Sequence, residues 1–126
     1  MQNEKSKFKS DLRTRCYQFS LGVIALTDLL PQKRSAWVIA DQLIRSATSI
    51  GANLIEARAS SSRLEFKKFY EIALKSANET KYWLCLLRDT QLAEDIKVSP
   101  LLNEVQEIAN MLASGVLKLK GKTFNF

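Results

Sequence analysis

The chain has 126 residues, with 19 Lys+Arg against 13 Asp+Glu, no histidine and a formal charge of +6. That length suits one domain able to bury roughly two thirds of its unfolded surface. Composition of 46% hydrophobic and 25% charged residues argues for a packed core. Only 4 Gly and 2 Pro is too little punctuation for a β-rich fold. The lack of histidine removes Ser–His–Asp and Cys–His nucleophile systems and His-ligated zinc or haem.

Four segments carry apolar residues at helical spacing. In the first, over about 5–30, Phe8, Leu12, Cys16, Phe19, Val23, Leu26 and Leu30 draw one stripe. Pro31 ends it. The second, about 34–59, aligns Ala40, Leu43, Ala47, Ile50, Leu54 and Ala57. Ser60-Ser61-Ser62 breaks the pattern, and Ser62 with Glu65 has capping-box spacing, each side chain reaching the other residue's amide. The third, about 62–92, aligns Phe66, Phe69, Ala73, Ala77, Thr80, Leu84 and Leu87, with a small-residue middle. Ser99-Pro100 reads as N-cap and first residue of a fourth helix over about 99–120, and Gly121 as its stop. Its stripe is Leu101, Val105, Ile108, Leu112, Val116 and Leu119.

Short loops between long helices force neighbours to be antiparallel, so the expected fold is all-α: an antiparallel up-down-up-down four-helix bundle, one domain over residues 1–126. Cys16 and Cys85 fall on apolar helical positions and read as reduced thiols, not as a redox pair. The uncharged run from Cys16 to Thr27 follows a basic segment. It holds polar residues and meets Asp28 without a small-x-small cleavage pattern, so it does not read as a signal peptide. No stretch approaches a membrane span. The expected location is cytoplasmic.

The positive surplus is confined to the chain ends. Residues 1–15 hold Lys5, Lys7, Lys9, Arg13 and Arg15 against Glu4 and Asp11, a net +3, and residues 118–126 add Lys118, Lys120 and Lys122 with no acid. Residues 16–117 carry 11 cations and 11 acids and sum to zero. In an even-numbered antiparallel bundle both ends reach one pole, where these eight cations are the candidate contacts for a polyanion. The competing reading is solubility and complementation of the last helix dipole.

Polar residues interrupt the middle of the chain: Arg45, Thr48, Ser49 and Asn53 with Glu56 on the second helix, and Glu79 on the third. Di-iron bundles want Glu-x-x-His on two helices, which this chain cannot supply. A structural role is expected instead, with these acids in charge pairs with Arg45 or Arg58 or in backbone contacts that set helix register and subunit contacts. Trp37, Tyr70, Tyr82 and Trp83, at helical spacing, fit core or interface packing better than base stacking. No catalytic residue, metal or cofactor is expected.

The run Gln42-Leu43-x-Arg45-Ser46-Ala47-x-Ser49-Ile50-x-Ala52-Asn53-Leu54-x-Glu56 resembles the signature of the 23S ribosomal RNA intervening-sequence proteins, also called the four helix bundle protein family. The similarity continues through Ser62-x-x-Glu65-Phe66-x-x-Phe69-Tyr70-x-x-Ala73-x-x-Ser76-Ala77-x-Glu79 and, with Leu29-Leu30-Pro31, covers about residues 15–92. Gly51 stands where the family usually has Pro and Ala57 where it usually has Gly. A kink or sharp end of the second helix is therefore not implied here. The resemblance implies a ring-shaped homopentamer, in which five copies of a +6 chain would gather +30 mainly on one rim. It brings no catalytic residues: Arg45, Asn53, Glu56 and Glu79 carry over only as signature or structural polar positions. Related basic pentameric bundles serve as accessory subunits to the reverse transcriptases of diversity-generating retroelements, where they bind enzyme and RNA.

The expectation is thus a non-enzymatic, homo-oligomeric bundle that binds RNA or DNA as an accessory or ribonucleoprotein-associated module, with a reverse transcriptase or other protein as a possible partner and no membrane. The alternative is a protein–protein scaffold ring without nucleic-acid binding.

Overall fold

Apolar stripes on four helices must be buried against one another, and in a computed structural model of the protein they meet in one core. The helices are α1 (Glu4–Thr27), α2 (Arg34–Arg58), α3 (Arg63–Asp89) and α4 (Asp95–Phe124). The structure describes residues 4–124, with side chains over residues 12–119. Each helix packs on two neighbours, in the order α1–α2–α3–α4 and back to α1, with α2 against α3 the most extensive contact. This is the up-down-up-down bundle. Its core holds Cys16, Phe19, Val23 and Leu26 of α1, Leu43, Ala47, Ile50 and Leu54 of α2, Ala73, Ala77, Leu84 and Leu87 of α3, and Val105, Ile108 and Leu112 of α4. The stripe residues at the margins, Leu12, Leu30, Ala40, Phe66, Phe69, Leu101 and Leu119, are half-buried. Phe8 lies outside the described side chains.

The helix ends depart from the expected boundaries for local reasons. α1 stops at Thr27 rather than Leu30, because the bonds tighten to three-residue spacing (Leu29 N to Leu26 O 3.0 Å, Leu30 N to Thr27 O 3.2 Å) ahead of Pro31. α3 ends at Asp89, and Gln91 takes a left-handed φ of 61° that turns the chain. The Ala93 amide then donates back to the Leu87 carbonyl at 3.1 Å. α4 starts at Asp95, a full turn before Ser99-Pro100, with the Lys97 and Val98 amides donating to the Glu94 carbonyl. The added turn buries Val98 completely, and Pro100 is tolerated so near the helix start. Nor does Gly121 stop α4, which runs to Phe124. α2 passes through Gly51 unbroken. At α3 the Glu65 amide donates to Ser62 Oγ at 3.1 Å, but the Glu65 carboxylate accepts from the Ser61 amide, one residue earlier than a capping box places it.

One charged contact joins the first helix to the last. Arg15 forks onto Glu104, Nε to Oε2 at 2.9 Å and Nη2 to Oε1 at 2.7 Å, and reaches Glu107 at 3.2 Å. The hydrogen bonds to Arg15 hold the Glu104 carboxyl below its ordinary range. Next to it Cys16 is a free, buried thiol, pushed up to about 12 by burial, so it stays protonated and inert at neutral pH. Cys85 is free and half-buried.

Two stability measurements follow. Gln91→Gly removes the left-handed strain of a residue with a Cβ and should raise the urea-derived unfolding free energy by about 0.5–1 kcal/mol at unchanged m. Because Glu104 titrates lower when folded, its stabilisation is complete above the ordinary carboxylate range and is lost as pH falls through the folded-state value. Glu104→Gln should therefore cost about 1 kcal/mol at pH 7, with the difference from the parent protein closing in acid.

Candidate nucleic-acid interface

The pole where α1 begins and α4 ends also carries the α2–α3 loop. Leu12 and Arg13 of α1, Leu54 and Arg58 of α2 and Tyr70 of α3 line one cleft of about 150 Å³. Beside it, a cleft of about 350 Å³ is lined by Ala57, Arg58, Ser60 to Ser62, Arg63, Phe66 and Leu119 of α4. The start of α1 and the end of α4 therefore approach a single end of the bundle, as the topology requires.

Of the eight cations picked from sequence, Arg13 and Lys118 are exposed there. Lys5, Lys7, Lys9, Lys120 and Lys122 fall on the helical ends that reach this pole, but their side chains lie outside the described residues. Arg15 does not belong with them: it is turned onto α4 and held by Glu104 and Glu107. Sequence bookkeeping missed Arg58 and Arg63, which the exposed Glu56 and Glu65 beside them offset in the neutral middle. Of the seven arginines, Arg15, Arg45 and Arg88 are in ion pairs. Three of the other four, Arg13, Arg58 and Arg63, line the two clefts and have no ion pair among the described residues. The opposite pole is balanced, with Asp28, Asp89, Glu94 and Asp95 against Lys33, Arg34, Arg88 and Lys97 around its two loops.

Beneath the clefts the rings of Phe66 and Tyr70 stack, with centroids 5.0 Å apart and planes 22° apart. Both are half-buried. Tyr70 is pinned from behind by Gly115 of α4, where an added Cβ would meet its ring at 2.8 Å. Burial pushes the Tyr70 phenol above its ordinary range.

The signature polar residues lie away from this pole, in the α2–α3 seam. Arg45 bridges Gln42 (Nη2 to Oε1 2.8 Å) and Glu79, and Glu79 also accepts from Trp83 Nε1 at 2.8 Å. Asn53 donates to the Ser49 carbonyl at 2.8 Å and to Ser49 Oγ at 3.0 Å, and Ser49 Oγ lies 2.9 Å from Ser76 Oγ. Deeper in the seam Thr80 Oγ1 is 2.9 Å from the fully buried Ser46 Oγ. Glu56 is exposed and is not brought to Asn53 or Glu79. Among the described residues no three acids or thiols gather as a metal ion would need, and no helix is long and apolar enough to cross a membrane.

Large apolar residues also remain in water. Tyr17, Leu21 and Ile24 form one stripe of α1, on the flank away from the α4-facing Arg15 and Gly22. Trp37 and Ile55, with half-buried Ile44 between them, form a stripe of α2 on the flank away from the α3 seam. The two stripes border the same α1–α2 groove. Of the aromatics expected to pack in the core or at an interface, Trp83 and Tyr70 lie against the core, while Trp37 and Tyr82 are 59% and 60% exposed.

Comparison with known proteins agrees with this architecture. The profile described as 23S rRNA-intervening sequence protein matches residues 9–114. The crystal structure of a protein of unknown function from the S23 ribosomal protein family of Bacteroides thetaiotaomicron superposes with a TM-score of 0.78 at 35% identity, covering 83% of this chain and 97% of that one. A search of curated proteins gave no match. With the profile spanning all four helices and the solved relative sharing their arrangement, the chain belongs to the 23S rRNA-intervening sequence protein family.

Proposed function

We propose that the protein is a non-enzymatic nucleic-acid-binding module that works as a homo-oligomer, gripping the phosphate backbone with its basic pole. The observation that carries this reading is the gathering of Arg13, Arg58, Arg63 and Lys118, against Glu56 and Glu65, at the end where the lysine-bearing ends of α1 and α4 arrive, opposite a pole of balanced charge. Unpaired guanidinium groups suit phosphate oxygens, which they meet through two parallel hydrogen bonds. The family's name, which refers to ribosomal RNA, agrees with that choice of polyanion.

Self-association is supported by the apolar stripes on α1 and α2. An exposed surface with Tyr17, Leu21, Ile24, Trp37 and Ile55 is more than scattered apolar residues on a monomer. The stripes run along the barrel wall, so copies packed side by side around an axis parallel to the helices carry all their basic poles on one rim. Five copies, the number the family resemblance implies, would make that rim strongly attractive to RNA or DNA. The same stripes favour a second reading, in which the wall binds a different protein, a reverse transcriptase among the candidates, and the pole serves only solubility.

Fluorescence anisotropy with labelled RNA and DNA separates these. Binding should weaken steeply with salt, and replacing Lys118, Lys120 and Lys122 together with Gln should lower affinity and flatten the log–log salt slope by about 2–3 for each protomer engaged. Unchanged affinity for both nucleic acids would remove the proposal. Light scattering gives the assembly state: Leu21→Glu should reduce the particle to the 14.3 kDa chain, and a parent protein already of that mass would remove the oligomer.

A further inference from the structure

We infer that the basic pole is built for unpaired nucleotides and not for duplex, with bases entering the two clefts over the Phe66–Tyr70 stack and phosphates held by Arg13, Arg58 and Arg63. This rests on the reading of the pole as a nucleic-acid site and specifies what kind of nucleic acid it takes.

A surface that met only phosphates would need cations and hydrogen-bond donors but no aromatic ring. Here the guanidinium groups instead stand beside aromatic and apolar side chains, Phe66 and Leu119 in a larger cleft that Ser60, Ser61 and Ser62 also line, and Leu12, Leu54 and Tyr70 in the smaller. Arg58 is shared by both clefts, so the larger, lined by Phe66 and Leu119, and the smaller, lined by Leu12, Leu54 and Tyr70, form neighbouring compartments on either side of one cation. The larger, at about 350 Å³, is a shallow depression open to solvent, which a base can enter from the side. A paired base offers only its edges in the grooves and keeps its faces stacked inside the helix. An unpaired base offers a free face, and stacking on an aromatic side chain contributes about 1–3 kcal/mol per base without regard to sequence.

The aromatic pair is held in place beforehand. Tyr70 stands against Gly115 with no room for a Cβ between ring and helix, and Phe66 stacks on Tyr70. Both rings remain half-buried and therefore part-exposed to a ligand. The three arginines around them make no ion pair among the described residues, whereas those on the barrel wall at Arg15 and Arg45 are engaged by acids. Cation, aromatic face and cavity coincide at this pole, in an arrangement suited to single strands.

The test uses the full chain and one mixed sequence in three forms: single-stranded RNA, single-stranded DNA and DNA duplex, compared by anisotropy at equal salt. At least one single strand should bind about ten-fold or more tightly than the duplex, a factor within the range of one or two stacked bases. Preference for the RNA strand over the DNA strand would assign the natural ligand to RNA, and the reverse to DNA. Phe66→Leu keeps the apolar volume without the π face. It should weaken single-strand binding about five-fold or more at unchanged salt slope and leave duplex binding alone. Arg58→Gln should weaken both and lower the slope. Should Phe66→Leu fail to fold by circular dichroism, Phe66→Trp keeps an aromatic ring. Its emission, over the constant background of Trp37 and Trp83, should be quenched by single strands and not by duplex. Duplex binding as tight as single strands, with emission from that variant unmoved, overturns the inference while the nucleic-acid reading survives. No binding of any of the three at low salt overturns both.

Discussion

An even number of antiparallel helices returns the chain to the pole where it started, and everything distinctive about this molecule follows from that constraint. The connections leave no alternative: six residues join α1 to α2, four join α2 to α3, and five join α3 to α4. Each is too short to cross the bundle. Segments more than a hundred residues apart in sequence therefore become neighbours, and the α2–α3 loop joins them, adding Arg58 and Arg63 to the basic ends. Groups at the pole repel one another, but beyond about 8 Å physiological salt screens exposed charges. The cost of gathering them is small, while their summed potential still reaches a multiply charged partner.

The barrel between the poles is held by polar as well as apolar contacts. Small residues on facing sides of α2 and α3, among them Ser46, Ser49, Ala73, Ser76 and Ala77, let the two backbones approach, and the hydroxyls that remain bond across the gap. Each such bond adds only about 1 kcal/mol net, but leaving a buried hydroxyl unpaired costs as much or more. The seam thus penalises a shift of one helix along the other more than it stabilises the correct register. Arg45, Glu79 and Trp83 extend the same logic to its rim, where the carboxylate takes both the guanidinium and the indole N–H. Arg45, Ser46, Ser49, Asn53, Ser76 and Glu79 are thus engaged in register and packing, whereas Glu56 is exposed.

The fold was legible because periodicity survives in linear sequence: the stripes of Cys16–Phe19–Val23–Leu26 and Leu43–Ala47–Ile50–Leu54 are the core. What linear reading mishandled were choices settled by tertiary contact. Ser99-Pro100 has the chemistry of a helix start, yet burying Val98 outweighed it and the helix began a turn earlier. Arg15 looked like one more terminal cation until Glu104, 89 positions away, was folded against it. Arg58 and Arg63 vanished into a neutral sum, since charge counted along the chain does not say which charges share a surface. For Trp37 the spacing left core and interface packing equally open, and only the fold places it on an exposed flank, a choice that periodicity alone does not resolve when a helix has two apolar faces.

Those two apolar faces and the basic pole point in perpendicular directions, and this separates what each can do. Closing the pole against another copy would strip water from unpaired guanidinium groups, at several kcal/mol per ion. Closing the wall removes Tyr17, Leu21 and Ile24 from water, which is favourable at about 25 cal/mol per Å². The proposed self-contact therefore belongs on the wall, and the pole stays open whichever copy number is reached. Packing walls together brings equal charges side by side, so salt that screens their repulsion favours assembly. The same salt opposes nucleic-acid binding, because each counterion released from phosphate gains less entropy when the bulk solution is already concentrated. On the proposed reading, assembly and binding would respond to ionic strength in opposite senses, a direct consequence of where one topology puts two kinds of surface.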